Sequence, residues 1–324
     1  MSSFITENNL LSDYQAGFRK GQSIQTAAVR VYDDLAKTLD KKGTAILLML
    51  DFSKVFDTFP HRRLCSKLET QFNFAVSAVN LIESYLMERS QTVFCGDQQS
   101  GVGYSTSGVP QGSVLGPLLF CCYVNDLPSV LRYCSIQMYA DDVQLYIRQL
   151  GPCSCELIMM MNEDLARIME WSQRNQLFVN QSKSKAMLLK GRRRSNTAQT
   201  NPLPPVTMDG QAIEWTESAK NLGFIFQTDL KWDKLINQQC GKIYASLRSL
   251  YGSTSSTSTA TRLKLFKTLM LPHFMFGELL HVKPSAGSMD KLRVTLNSCV
   301  RFIYIEPLRP RKSVAKKSDR LSAG

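Results

Sequence analysis

The run Gly43 to Leu50, GTAILLML, is apolar from Ala45 onward and stops abruptly at Asp51. Successive side chains of a strand point to opposite faces, so a strand that is apolar throughout has to be covered on both. The run therefore predicts a buried central strand with a carboxylate at its C-terminal end. A chain of 324 residues with 44% apolar composition has enough material to build such a core, and its length suits two packed regions.

The pattern around this strand mixes periods. Pro60 opens a helix with Leu64 and Leu68 on one face, and Val76, Val79, Ile82 and Leu86 continue helical spacing. Thr92 to Cys95 reads as a strand before a Gly96-Asp97 turn, and Leu115 to Val124 as a helix buried all round. Ile136 to Met138 and Val143 to Ile147 read as two strands, with Ala140-Asp141-Asp142 at the turn between them. Leu157, Met161, Leu165, Ile168 and Trp171 mark a long amphipathic helix, followed by short strands at Leu177 to Val179 and Ala186 to Leu189.

Residues 191–205 turn basic, polar and Pro-rich, which predicts a linker. Val206 to Trp215 contains Asp209-Gly210, a hairpin signal. Helical spacing resumes at Lys231, breaks over Ser253 to Thr261, and covers Arg262 to Leu279 and Met289 to Ile303. Residues 309–324 are basic and poor in apolar side chains, which predicts a disordered tail. The class expected is α+β.

Charge is segregated. Residues 1–190 hold 18 Lys/Arg against 18 Asp/Glu, whereas residues 191–324 hold 21 against 9, which is the whole +12. Such a region suits a polyanion through phosphate neutralisation and counterion release; a solvated basic surface is the alternative. No apolar run reaches the roughly 20 residues of a membrane span, so no membrane partner is expected. Met1 to Ile24 lacks the basic head and apolar middle of a signal peptide. The nine cysteines form no matched CxxC halves, which argues against structural zinc and for reduced thiols in an intracellular protein.

Two acidic sites remain. Asp51 ends the apolar strand, and Asp141-Asp142 sit together at a hairpin turn with nothing basic nearby in sequence. Singly, Asp51 reads better as a helix cap and either of the others as a turn residue. Together, if the strands lie side by side, three carboxylates converge where a hard divalent cation would relieve their repulsion, an arrangement that suits two metal ions. A third feature is Pro110-Gln111-Gly112-Ser113-Val114-Leu115-Gly116-Pro117, a stiff loop at a helix start where backbone could approach an anionic ligand.

The order Leu50-Asp-Phe-Ser-Lys-Val-Phe-Asp57, then Pro110 to Pro117, then Tyr139-Ala-Asp-Asp142 resembles motifs A, B and C of a reverse transcriptase, most closely those of non-LTR (LINE-like) retrotransposons. Gln15 to Ser23 resembles the family's fingers motif. Trp171, Asn175, Leu177, Asn180 and Lys183-Ser184-Lys185 resemble motif D, and Asn221-Leu222-Gly223 the palm hairpin that follows. Leu271-Pro272 and Asn297 to Phe302 resemble a helical thumb.

The resemblance implies a right-hand polymerase with partial fingers, a palm of antiparallel sheet and helices, and a helical thumb. It places fingers and palm in residues 1–190, a linker at 191–205, and the palm hairpin with the thumb at 206–308. It implies an RNA-directed DNA polymerase that uses an RNA template, a DNA primer, dNTP and two Mg2+ ions, with Mn2+ a possible substitute. The metal ligands it implies are Asp51, Asp141, Asp142 and the backbone carbonyl of Phe52. For the nucleotide it implies Phe56 as a steric gate against a ribose 2′-hydroxyl, Gln111 and Gly112 as lining, and Lys183 as a phosphate contact or proton donor. Arg19, with Lys20, could reach phosphate; an exposed loop pair is the alternative. Asp57 is expected to cap the helix after Pro60. An element of this kind acts in the nucleus or cytoplasm. The family's earlier fingers motif has no counterpart here, so a truncated copy is expected, and an inactive remnant that only binds nucleic acid is the alternative function.

Overall fold

The computed structural model describes residues 1–191, 203–252, 257–280 and 284–304. The described chain divides into two compact units, residues 1–232 with 279–280, and residues 233–278 with 284–304. Most of the expected linker (192–202) and the expected tail lie outside the described residues.

The first unit begins with α1 (Ser2–Glu7) and α2 (Ile24–Asp40). Ser23 and Thr26 cap α2 reciprocally, and it buries Ala27, Ala28, Val31 and Leu35 at helical spacing. Then come β1 (Thr44–Leu50), β2 (Phe52–Ser53), α3 (Val55–Thr58), α4 (His61–Thr70) and α5 (Val76–Leu86). An exposed ribbon of β3 (Arg89–Gln91), β4 (Phe94–Cys95), β5 (Gln98–Gln99) and β6 (Gly103–Ser105) leads to α6 (Gly116–Tyr123). The Gly96-Asp97 turn is where the sequence places it. The ribbon is longer than the single strand expected, because its short, exposed strands bury no face and so carry no apolar alternation.

β7 (Ser135–Tyr139), β8 (Asp142–Gln149), α7 (Cys155–Arg174), β9 (Phe178–Val179) and β10 (Lys185–Lys190) follow. Two hairpins, β11 (Thr207–Met208) with β12 (Gln211–Ala212) and β13 (Ser218–Asn221) with β14 (Phe224–Gln227), complete the unit. Residues 206–232, grouped with the helical region on sequence, thus pack with the sheet: Val206, Met208 and Ile213 join its core, and Trp215 bridges to Ala186.

The main sheet runs β10-β1-β8-β7 and is antiparallel throughout. All seven residues of β1 are buried, as its apolar run requires. Ile46, Leu48 and Leu50 share one core with Phe59, Phe120, Leu165 and Trp171, while the alternate residues face the other way. Burying each such side chain contributes about 1.5–3 kcal/mol, which anchors β1 in the core.

The second unit holds α8 (Asp233–Tyr251), α9 (Thr259–Leu265), α10 (Leu271–Met275) and α11 (Ala286–Tyr304) around Ile243, Leu247, Met270, Cys299, Phe302 and Ile303. The single helix expected over Arg262 to Leu279 is broken. A π-helical turn, Phe266–Met270, joins α9 to α10, and a 3-10 turn follows at Glu278–Leu280. Pro272 stands at the start of α10, where it has no N–H to continue a regular ladder.

Candidate active site

Asp51 follows β1 directly and Asp142 opens β8. Leu50 pairs with Val143, so the next antiparallel step sets Asp51 beside Asp142. β7 and β8 close through a two-residue turn, Ala140-Asp141, with Tyr139 opposite Asp142. Ala140 takes φ +54, the left-handed conformation that such hairpin turns demand. The fold thus sets all three of the acidic residues singled out in the sequence at adjoining strand ends.

Their electrostatics reflect that crowding. Burial, then the charges of Asp141 and Asp51, push the Asp142 carboxyl up to about 6. Burial also raises Asp141, with Asp51 adding to the rise and a backbone hydrogen bond opposing it. Among the described residues no Lys or Arg pairs with Asp141 or Asp142; at Asp51, Lys183 Nζ lies 3.8 Å from Oδ2 with both side chains exposed. Uncompensated, partly desolvated carboxylate oxygens are the donors a hard divalent cation takes, so the residue types fit such an ion. Among the described residues no three Asp, Glu, His or Cys side chains are gathered closely enough to hold one as they stand. What the fold supplies is the juxtaposition of strand ends rather than a closed ligand shell.

The backbone beside Asp51 is also organised. Asn180 N–H donates to the Asp51 carbonyl at 2.6 Å, and Phe52 pairs with Val179. Bonded and non-bonded pairs alternate along an antiparallel ladder, which leaves the Phe52 carbonyl free of β9. Asn180 then nucleates a tight turn: its Oδ1 accepts from Lys183 N–H at 3.3 Å and its carbonyl from Ser184 Oγ at 2.8 Å. The buried Ser184 Oγ accepts from Asp51 N–H at 3.4 Å, which ties the Lys183 turn to the end of β1.

The Pro110 loop is fastened to the segment after Asp51. Val109 N–H donates to the Phe56 carbonyl at 2.7 Å and Gly108 N–H to the Phe59 carbonyl at 2.8 Å. Gly108 takes φ +69, and a Cβ there would lie 2.2 Å from the Phe56 carbonyl oxygen, so only glycine fits. Asp57 does not cap α4. Pro60 is the N-cap without a side-chain bond, and the Asp57 carboxylate instead accepts from Gln111 Nε2 at 2.9 and 3.2 Å. The cap reading failed because the true partner lies 54 residues away. Gln111 and Gly112 are exposed, and Gly112 takes φ +78. The Phe56 ring is half-buried, packed on Phe120 with centroids 4.6 Å apart. Arg19 Nη1 donates to the carbonyls of Ser12 and Gln15 at 2.8 and 3.2 Å, so it braces its own loop.

Sequence reasoning assigned no role to two residues that touch the acidic turn. Gln15 is wholly buried; its Oε1 accepts from Ala140 N–H at 2.9 Å and Gly17 N–H at 2.8 Å, and its Nε2 donates to the Ala140 carbonyl at 3.4 Å. Asn221 Nδ2 donates to Asp142 Oδ1 at 3.4 Å, while its Oδ1 accepts from Gln144. The available signal was their place inside the Gln15–Ser23 and Asn221–Gly223 motifs.

The family model described as Reverse transcriptase (RNA-dependent DNA polymerase) matches residues 1–226. The probable RNA-directed DNA polymerase from transposon X-element of Drosophila melanogaster is 26% identical over 315 residues, covering 93% of this chain and 34% of that protein. The RNA-directed DNA polymerase from mobile element jockey of Drosophila funebris is 24% identical over 307 residues, covering 91% of this chain and 32% of that protein. The chain spans about a third of the length of these relatives. A solved structure of telomerase from Candida albicans, in complex with a TWJ fragment of telomeric RNA, is similar at TM-score 0.49 and 10% identity over 93% of this chain and 55% of that chain.

Proposed function

The chain belongs to the reverse transcriptase (RNA-dependent DNA polymerase) family, and from that premise we propose that it copies an RNA template by adding deoxynucleotides to a DNA primer at the joined ends of β1 and β8. The observation that carries this reading is the register that sets Asp51 beside Asp142, one residue from Asp141, with no Lys or Arg paired to either member of the turn among the described residues. In this reading the primer 3′-oxygen attacks the α-phosphorus of a dNTP; an oxygen–phosphorus bond forms and the bond to pyrophosphate breaks. Asp51, Asp141, Asp142 and the Phe52 carbonyl would hold two Mg2+ ions, or Mn2+ in their place. Bound there, the ions would supply the charge that lowers the pKa of the 3′-hydroxyl and steadies the leaving pyrophosphate.

The remaining roles belong to the protein. Lys183, beside Asp51, holds or protonates the departing phosphates. Phe56, braced on Phe120, excludes a ribose 2′-hydroxyl, and Gln111 with Gly112 lines the incoming nucleotide. Arg19 stiffens the segment that meets the acidic turn. The test is primer extension on an RNA template, wild type against Asp141→Ala. Template-dependent incorporation lost in the variant is expected. Equal incorporation by both overturns the reading, and salt-sensitive RNA binding without Mg2+-dependent extension would favour an inactive nucleic-acid-binding remnant instead.

A further inference from the structure

The acidic turn is gripped from two sides by neutral amides that lie outside the acidic motifs. On one side the segment Tyr14 to Gly17 runs along the outer edge of β7. Met138 N–H donates to the Tyr14 carbonyl at 2.7 Å, Ala16 N–H to the Met138 carbonyl at 2.9 Å, and Gln15 pairs with Met138 in a parallel bridge. This places the buried Gln15 amide against Ala140, where it engages both backbone groups of that residue. Gly17 fits closely as well: a Cβ there would lie 2.4 Å from Ala140 N. Ala140 is the left-handed residue of the turn, and every carboxylate position after it depends on that one backbone conformation. On the other side Asn221, at the end of β13, holds Asp142 Oδ1 and is itself oriented by the buried Gln144 of β8.

We infer that Gln15 and Asn221 are positioning residues for the metal-binding carboxylates, Gln15 by fixing the Ala140 backbone and Asn221 by fixing the Asp142 side chain. The inference rests on the proposed polymerase reading. Its chemical logic is that both groups are uncharged. A lysine or arginine in either place would orient the carboxylates but also neutralise them, and would compete with a divalent cation. An amide orients without competing, and outer partners of this kind typically tune metal affinity about 10–100-fold.

The experiment compares wild type with Gln15→Met, Gln15→Glu and Asn221→Leu. Leu165→Ala in α7 serves as a control for general destabilisation. Mn2+ binding is read by the loss of its free-ion electron paramagnetic resonance signal, without nucleotide or nucleic acid, and the midpoint of Mg2+ activation is read in primer extension. Gln15→Met and Asn221→Leu are expected to weaken Mn2+ binding about tenfold and to shift the Mg2+ midpoint upward by a similar factor, while Leu165→Ala does neither. Gln15→Glu keeps the acceptor for Ala140 N–H and should recover much of the loss. Mn2+ bound equally by wild type and the two amide variants overturns this inference and leaves the polymerase reading standing. A loss shared by Leu165→Ala, or no recovery in Gln15→Glu together with a Gln15→Met loss no greater than the control's, also overturns it. No Mn2+ binding by wild type overturns both.

Discussion

Two groups of carboxylates lie in the same unit, and their surroundings are opposite. Asp164, in α7, is wholly buried and fully partnered. Its Oδ1 accepts from Arg132 N–H at 3.0 Å and Arg167 Nη1 at 2.6 Å; its Oδ2 accepts from the N–H groups of Tyr133 and Cys134 at 2.9 and 2.7 Å. Burial pushes its pKa up, but those backbone donors and the guanidinium outweigh it, and the carboxyl ends below its usual value. Asp142 is less buried, has one amide donor at 3.4 Å and faces two like charges, and its carboxyl is raised to about 6. A fold that can satisfy one acid so completely leaves the other group short of positive charge. Asp164 pins the approach to β7, whereas the turn has no Lys or Arg paired to it among the described residues.

Breaking the under-compensated group should cost function first. Asp141→Ala is expected to slow primer extension about a thousandfold or more, the scale on which a single preorganised electrostatic group acts, with the metal-free chain at least as stable as wild type. Breaking the compensated group should do the reverse. Asp164→Asn removes the charge that answers Arg167 and leaves buried backbone donors short of an acceptor, a loss of about 3 kcal/mol in urea unfolding. Acid titration sharpens the contrast. A lowered carboxyl contributes stability that is full above its unfolded pKa of about 4 and is lost as pH falls through the folded value. Asp164→Asn should therefore flatten the acid limb of the stability curve.

The turn acid has the opposite sign. Asp142 is raised above its unfolded value, so ionising it costs stability, a penalty absent below about pH 4 and full above about pH 6. Without metal, Asp142→Asn should be more stable than wild type at pH 7 by about 1 kcal/mol, after allowance for solvent screening of a half-exposed group, and the gap should close at pH 4. Added Mg2+ should raise the wild-type melting temperature and leave that of Asp142→Asn nearly unmoved. An Asp142→Asn advantage that does not grow between pH 4 and 7 would remove the basis for treating the turn as under-compensated.

The two groups also differed in how far the sequence revealed them. Asp51 was legible as the end of an apolar run and Asp141-Asp142 as the turn between two short strands, because such patterns fix strand ends locally. Asp164 was not legible, since inside a helical pattern an acid on the buried side looks like any polar interruption until the loop at 132–134 folds over it. Asp57 was misread for the same reason: a carboxylate three residues before Pro60 resembles a cap, and only the tertiary fold shows it facing Gln111. The break before Pro272 was missed, since the helical spacing runs through Arg262 to Leu279 in sequence and which carbonyls lose their partners at the π-helical turn depends on how the neighbouring helices pack.

The smallest effect expected lies where the acidic segment meets the loop. Asp57 and Gln111 are linked by hydrogen bonds of 2.9 and 3.2 Å at an exposed site. An exposed charged contact contributes about 1 kcal/mol at most, so Asp57→Ala should leave urea stability within about 0.5 kcal/mol of wild type. If Gln111 lines the nucleotide, losing its anchor should raise KM for dNTP about two- to fivefold and barely change kcat, because the acidic ends of β1 and β8 are untouched. Asp57→Asn retains an acceptor for Gln111 Nε2 and should fall between the two. A large drop in kcat for Asp57→Ala would mean that Asp57 belongs with Asp51, Asp141 and Asp142, and the boundary between positioning loop and acidic site would have to move.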